Sequence, residues 1–471
     1  MTVGTEPART GTMSRWTLAA LVVGSMVGAG VFSLPAQFAR GTGALGAAVA
    51  WLVAGAGMLM VALTFLRLAD RRPDLDAGVY SYAREGFGRY AGFLSATGYW
   101  LTAVVGNVAY WVLIMSTIGG WIPAFEGGST PAAIALGSVG IWVYHWLLTR
   151  GVQSAAAVNR IVTVAKLVPL VVFVVIAATA FDPGVFVDNL RGESGSMLEQ
   201  VRSAMVITVF VFIGIEGASV YSRYARRRHD VGWATVSGFL AVLALFASVT
   251  MVSYGILPQA QIAALPDPSV SGVLEHIVGS WGATLIGVGI LISVLGAYLA
   301  WTLMSCEVLV TGARSGDMPA ALARQNSRGA PVVAITVTNV LVQAFLLLVL
   351  GAPDAFSLAV ALCSSLILVP YLLSALFSVR VAWHDRAARA AGARWVVVSV
   401  ATVAYATFLA WAGGWQYLLA TFVVYAPASV AHVYVRRHQD GIGRRERIAL
   451  VVVVAVGVAA AAAIVAGDVV I

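Results

Sequence analysis

Gly24-Ser25-Met26-Val27-Gly28-Ala29-Gly30-Val31-Phe32-Ser33-Leu34-Pro35 lies inside an apolar run covering residues 15–40. Each glycine weakens a helix interior by about 1 kcal/mol relative to alanine, and three sit here within seven residues. A span of this composition is expected to unwind at mid-depth. Lipid offers no partner to the backbone groups released there, so a break persists only inside protein or along a cavity. The stretch therefore points to a place where something small and polar binds, which is a feature of transporters.

The rest of the chain fits a membrane setting. Its 471 residues are 60% hydrophobic and 11% charged, with a mean hydropathy of +0.89. Apolar runs long enough to cross a bilayer recur at 15–40, 44–66, 90–120, 131–149, 157–180, 202–222, 233–257, 279–312, 331–351, 355–380, 394–412, 415–435 and 448–470. The expected fold class is an all-α polytopic membrane protein of about 13 transmembrane helices, without a separate soluble domain. No small-residue cleavage site follows the first run, so it reads as a retained span rather than a signal peptide.

The net charge of +8 gives orientation rather than nucleic-acid affinity. With residues 1–14 cytoplasmic and each run crossing once, 25 of the 29 Lys and Arg fall on the cytoplasmic side. Arg40, Arg191 and Arg202 fall opposite, and Lys166 lies within a span. The loop from Asp76 to Tyr82, with Arg71, Arg72, Arg84 and Arg89 around it, reads as a structured cytoplasmic loop whose charges form a solvated face. Arg226, Arg227 and Arg228 read the same way.

Other motifs carry little. Cys306 and Cys363 sit in separate apolar runs, which excludes a zinc knuckle and suggests no disulfide framework. Gly41-Thr42-Gly43-Ala44-Leu45-Gly46 matches the dinucleotide fingerprint in letters, but no strand precedes it and a span follows. No catalytic pair, metal-ligand cluster or cofactor motif is evident, so no enzyme, metal or cofactor is expected.

The sixth run contains Phe212-Ile213-Gly214-Ile215-Glu216-Gly217-Ala218-Ser219, again with glycines interrupting apolar sequence. A carboxylate at the bilayer centre costs about 2.5–3.5 kcal/mol on insertion scales, so Glu216 is not expected to face lipid. It reads as a protonatable or cation-facing group of a pathway, or else as a helix-capping acid. Two broken runs at matching positions of two five-span halves point to an inverted-repeat transporter with a midplane site.

Six strings of this chain resemble the amino acid–polyamine–organocation superfamily, and within it the arginine/ornithine antiporters most. They are GSMVGAGVFSLP (24–35), LDAGVYSYAREGFG (75–88), GYWLTAVVGN (98–107), AKLVP (165–169), FIGIEGASVYS (212–222) and SVLGAYLAWTLMSCE (293–307). The resemblance implies a LeuT-type 5+5 inverted repeat with discontinuous spans 1 and 6. It divides the chain into a cytoplasmic tail (1–14), a ten-helix transport core (15–380, with repeats of roughly 15–180 and 202–380) and additional helices (381–471).

It also implies roles. Backbone N–H groups of Ser25, Gly28, Ala29 and Gly30 would hold a substrate carboxylate, at the positive end of a half-helix. Carbonyls near Phe210 and Ile213 would accept from its ammonium. Trp301 matches the family's stacking tryptophan, which attracts a cationic side chain by about 2 kcal/mol when desolvated. Asn107 and Thr102 would meet the side-chain head, with Tyr99 and Ala103 nearby, and Cys363 and Ser364 would form the far wall. Two positions depart from the arginine/agmatine exchangers, namely Ala29 in place of a hydroxyl residue and Phe210 in place of a gating tryptophan. Lys166 matches a lysine that in many relatives stands where sodium-coupled members hold their ion. It reads as a fixed replacement for that sodium, or as a proton carrier.

The expected function is exchange of cationic amino acids, most simply arginine against ornithine, by alternating access in the cytoplasmic membrane with the N-terminus inside. A proton-coupled permease for lysine or other amino acids is the rival, using Lys166 or Glu216. A membrane sensor or intramembrane enzyme has less in its favour, since neither a signalling domain nor a catalytic pair appears. Partners are then small cationic amino acids and the bilayer, without nucleic acid, and a homodimer stays open.

Overall fold

The computed structural model describes residues 14–75, 78–151, 155–192, 195–217, 228–384, 394–437, 439 and 441–467. They form helices and connecting loops, with no strand among the described residues. The order is α1 (Arg15–Met26), α2 (Leu34–Ala39), α3 (Ala44–Arg71), α4 (Val79–Phe87), α5 (Arg89–Gly119), α6 (Pro131–Thr149), α7 (Ala155–Thr179), α8 (Pro183–Asp188) and α9 (Met197–Phe212). There follow α10 (Arg228–Ser253), α11 (Gln259–Ala264), α12 (Ser269–Val278), α13 (Ser280–Arg314), α14 (Val332–Leu348), α15 (Ala355–His384), α16 (Arg394–Ala412), α17 (Trp415–Arg437) and α18 (Arg444–Ala466).

Every apolar run of the sequence has a helix within it. Nine helices among the described residues meet the length and hydropathy needed to cross a bilayer, and ten if the bent pair at residues 15–39 is one span. The count stays below the expected 13 for local reasons. The described apolar part of α7 begins only at Ala165, and α14 is 17 residues long. The sixth run stops being helical at Phe212, and its far part (218–227) lies outside the described residues. The chain is a multi-pass, all-helical membrane protein.

The centre of the bundle is α5, packed most extensively against α15 and α13. Of the most apolar stretch of α5, 89% is buried, against 17% for α18. The sequence explains the contrast: α5 carries small and polar residues (Gly98, Thr102, Gly106, Asn107) that only neighbouring helices can accommodate, whereas α18 is a run of Val and Ala suited to lipid. The last helix packs chiefly on α17, at the rim.

The loop from Asp76 to Tyr82 differs in part from its expected solvated character. Asp76 and Ala77 lie outside the described residues, as do Arg226 and Arg227. Beyond them α4 lies against the connection after α13, where Asp317 is fully buried and accepts from Tyr80 at 2.8 Å and Arg84 at 2.6 Å. Arg84 thus serves an inter-helix contact, which its sequence neighbourhood of charges concealed. Arg72 pairs with Asp74 at 2.8 Å on the exposed side, and this holds the Asp74 carboxyl below its ordinary range.

Candidate functional site

The first break forms as its glycines require. α1 ends at Met26; Val27 is extended, with ψ 96°, while its N–H still reaches the carbonyl of Val23. A tight turn over Gly30–Ser33 leads into α2, which has Pro35 in its first turn, and the two helical pieces meet at 52°. Among the described residues, the N–H groups of Gly28, Ala29 and Gly30 have no backbone acceptor. Two of the glycines also make room for neighbours. A Cβ on Gly30 would stand 2.6 Å from a methyl of Val211, and one on Gly28 would stand 3.0 Å from the Tyr110 hydroxyl.

The second break faces the first. A reciprocal capping box between Ser196 and Glu199 starts α9, which ends at Phe212. Ile213 is no longer helical (ψ 130°), and Gly214 takes φ 111°, a conformation that favours glycine. A Cβ there would also lie 2.5 Å from the Ser25 carbonyl oxygen. The Ser25 hydroxyl is within hydrogen-bond distance of the carbonyls of Val22 (2.8 Å) and Gly214 (2.9 Å).

Glu216 sits in the turn after α9 and is 3% exposed. Its Oε2 accepts from the Gly214 N–H at 3.1 Å and from the Tyr371 hydroxyl at 2.5 Å, and its Oε1 accepts from the Tyr99 hydroxyl at 3.1 Å. These bonds satisfy a carboxylate that would otherwise be costly to bury. The carboxylate thereby holds the second break open while joining it to α5 and α15.

Between the breaks lies a cavity lined by Ser25, Met26, Gly28, Ala29, Gly30, Thr102, Ala103, Gly106, Asn107, Tyr110, Phe210, Val211, Ile213, Trp301 and Cys363. It brings together eleven of the thirteen residues expected around a substrate. Tyr99 and Ser364 stand outside the lining. Tyr99 turns to Glu216, with its ring 6.1 Å from that of Trp301, and the Ser364 hydroxyl donates to the Val206 carbonyl at 2.8 Å. Met26, Gly106, Tyr110 and Val211 were not expected. Tyr110 was findable, since it follows Asn107 by three residues and so shares a helix face with it.

Polar capacity on the wall is sparse and placed. Asn107 donates through Nδ2 to Thr302 at 3.0 Å, while its buried Oδ1 has no hydrogen-bond partner among the described residues. The Thr102 hydroxyl donates to the Gly98 carbonyl, which leaves its oxygen able to accept. Phe210 meets Phe356 edge-on, with ring centroids 6.3 Å apart. The Phe210 carbonyl takes the Ile213 N–H at 3.3 Å and keeps a second lone pair. Cys306 and Cys363 are free and buried, and Cys363 lies 3.2 Å from the Thr102 carbonyl.

Lys166, on α7, is 2% exposed and donates to the Gly24 carbonyl at 3.1 Å. Gly24 is in the last turn of α1, so an ammonium is placed at the negative end of that half-helix.

Residues 13–435 match the family described as amino acid permease. The chain belongs to that family. It is 45% identical to an arginine/ornithine antiporter of Pseudomonas aeruginosa, over 88% of each chain. It is 39% identical to an L-lysine transport protein of Corynebacterium glutamicum, over 94% of this chain and 93% of the relative. With an arginine/agmatine antiporter of Chlamydia abortus the identity is 37%, over 87% of each.

Proposed function

We propose that this chain is a secondary active transporter that exchanges cationic amino acids across the cytoplasmic membrane, arginine against ornithine, by alternating access. The carrying observation is that three N–H groups without backbone acceptors, an indole and an unpartnered amide oxygen meet in one cavity. The N–H groups of Gly28, Ala29 and Gly30 hold the α-carboxylate, as the start of a half-helix favours an anion. Carbonyls at Phe210 and Ile213 receive the α-ammonium. The cationic side chain lies along Trp301, with Asn107 Oδ1 and Thr102 Oγ1 accepting from its head. Among the described residues no carboxylate lines this pocket, so the side chain is attracted without a fixed counter-charge and can leave again.

The tyrosine pair on Glu216 and the Phe210–Phe356 contact are read as the two gates of the cycle, a reading that these hydrogen bonds and this ring contact support. The core is read as inverted repeats over roughly 15–180 and 202–380, with residues 381–471 peripheral and the N-terminus cytoplasmic. Lys166 serves as a fixed cation bracing α1. A proton-coupled lysine permease is the second reading, favoured by the name of the Corynebacterium relative and by the buried ammonium at the first break.

Counter-flow separates the two. In liposomes, labelled arginine should enter ornithine-loaded vesicles many times faster than empty ones. Equal uptake by both, rising with an imposed pH gradient, would favour the permease.

A further inference from the structure

A second chamber lies beyond the Phe210–Phe356 contact. Its volume is about 100 Å³, and its wall includes Phe356, Ser116, Arg40, Asp267, Asp354 and Ser357. Phe356 is thus part of this wall while its ring partner Phe210 is part of the central cavity, so one pair of rings divides the two spaces. Ser116 is on α5, nine residues beyond Asn107, which places the chamber about 13 Å further along that helix.

The chamber carries both signs of charge, Arg40 and Asp267 forming a long ion pair of 3.9 Å. The Asp267 side chain is 11% exposed. Its Oδ2 accepts from Gln37 at 3.0 Å, and its Oδ1 has no hydrogen-bond partner among the described residues. Arg40 approaches Asp267 only to 3.9 Å, beyond hydrogen-bond length, and binds Ser357 and the Ala263 carbonyl instead. Asp354 is exposed at the mouth. Burial pushes the Asp267 carboxyl up to about 6; Arg40, the nearby Ser33 hydroxyl and Gln37 oppose the rise, and Asp354 adds a little to it. An arriving cation would offset both the cost of burying this charge and its repulsion by Asp354.

We propose that this chamber is a staging site, where a cationic amino acid rests before passing the Phe210–Phe356 rings. Its α-carboxylate lies toward Arg40, and its cationic side chain lies between Asp267 and Asp354. The central cavity then differs in kind. It holds a cation by an indole and dipoles and releases it easily, whereas the chamber gathers cations by charge. The proposal rests on the exchange reading above, because it takes the same substrate class.

The test uses the full chain in vesicles of known sidedness, with labelled arginine as the probe. Asp354→Asn and Asp267→Asn should each raise KM from the chamber's face about three- to fivefold, in the range of a partly solvated ion pair. KM from the opposite face and the maximal rate should stay as in the wild type. Added salt should weaken arginine uptake by the wild type at this face more than uptake by the Asp354→Asn variant. A purely structural role for Asp267 would shift both faces together, and unchanged KM in both variants would overturn the staging site alone. If the wild type itself shows no exchange of arginine for ornithine, the transport reading falls as well.

Discussion

The Ser25 hydroxyl lies 2.9 Å from the Gly214 carbonyl oxygen, joining two breaks that are 189 residues apart in sequence. Each break frees backbone groups that lipid cannot satisfy, and this contact lets one answer part of the need of the other. Glu216 does the same from the far side through the Gly214 N–H. The breaks are therefore one structure rather than two independent weaknesses.

Gly214→Ala should be among the most damaging single changes in the chain. Its positive φ disfavours a side chain by about 1–3 kcal/mol, and the new methyl would also press on the Ser25 carbonyl. Ser25→Ala removes only a hydroxyl contact and should cost about 1 kcal/mol. Melting temperatures in detergent check the order; an alanine at 214 as stable as wild type would contradict the described backbone.

Trp301→Leu should weaken arginine binding by roughly tenfold, as expected for loss of a desolvated cation–π contact, and Trp301→Phe should lose less. Binding is read by calorimetry on purified protein, alongside a melting curve. Equal affinity of the Leu variant and wild type would remove the indole from the account.

Lys166→Ala leaves the Gly24 carbonyl without its charged donor and should lower stability by about 1.5–3 kcal/mol, with exchange falling in parallel. Lys166→Arg keeps a cation and should recover much of both, with an unaltered pH profile. If neither variant unfolds but both lose the pH dependence of uptake, the lysine carries protons instead.

Asp267 gives a pH dependence of known sign. Its carboxyl rises from the ordinary 3.8 to about 6 in the folded chain, through burial. Between those values the unfolded chain has released this proton and the folded one has kept it. Stability therefore falls as pH rises across that interval and levels off above it. Melting temperatures of Asp267→Asn should lack this decline. A decline of the same size in the variant would assign it to another group.

Much of the architecture could be read from composition alone. Three glycines and a proline in one span foretold the first break, and Gly214 and Gly217 around Glu216 foretold the second. Side-chain placement was less accessible. Trp301, Asn107 and Cys363 come from three different helices, and only resemblance brought them to one cavity. Tyr99 was expected near the side-chain head on resemblance, but its hydroxyl donates to the buried Glu216 carboxylate. That carboxylate's second tyrosine, Tyr371, lies 155 residues further on and leaves no local trace. Arg40, Asp267 and Asp354 are scattered across connections, where neither periodicity nor spacing signals a shared chamber.

The length of α5 has a mechanical corollary. Its 31 residues extend about 46 Å, from Arg89, which reaches Gln439 at one end, to Ser116, which donates to the Asp267 carbonyl at the other. Asn107 is near its middle. A seesaw motion about that fulcrum would carry the two ends in opposite senses, so slackening one doorway would tighten the other without any relay between them.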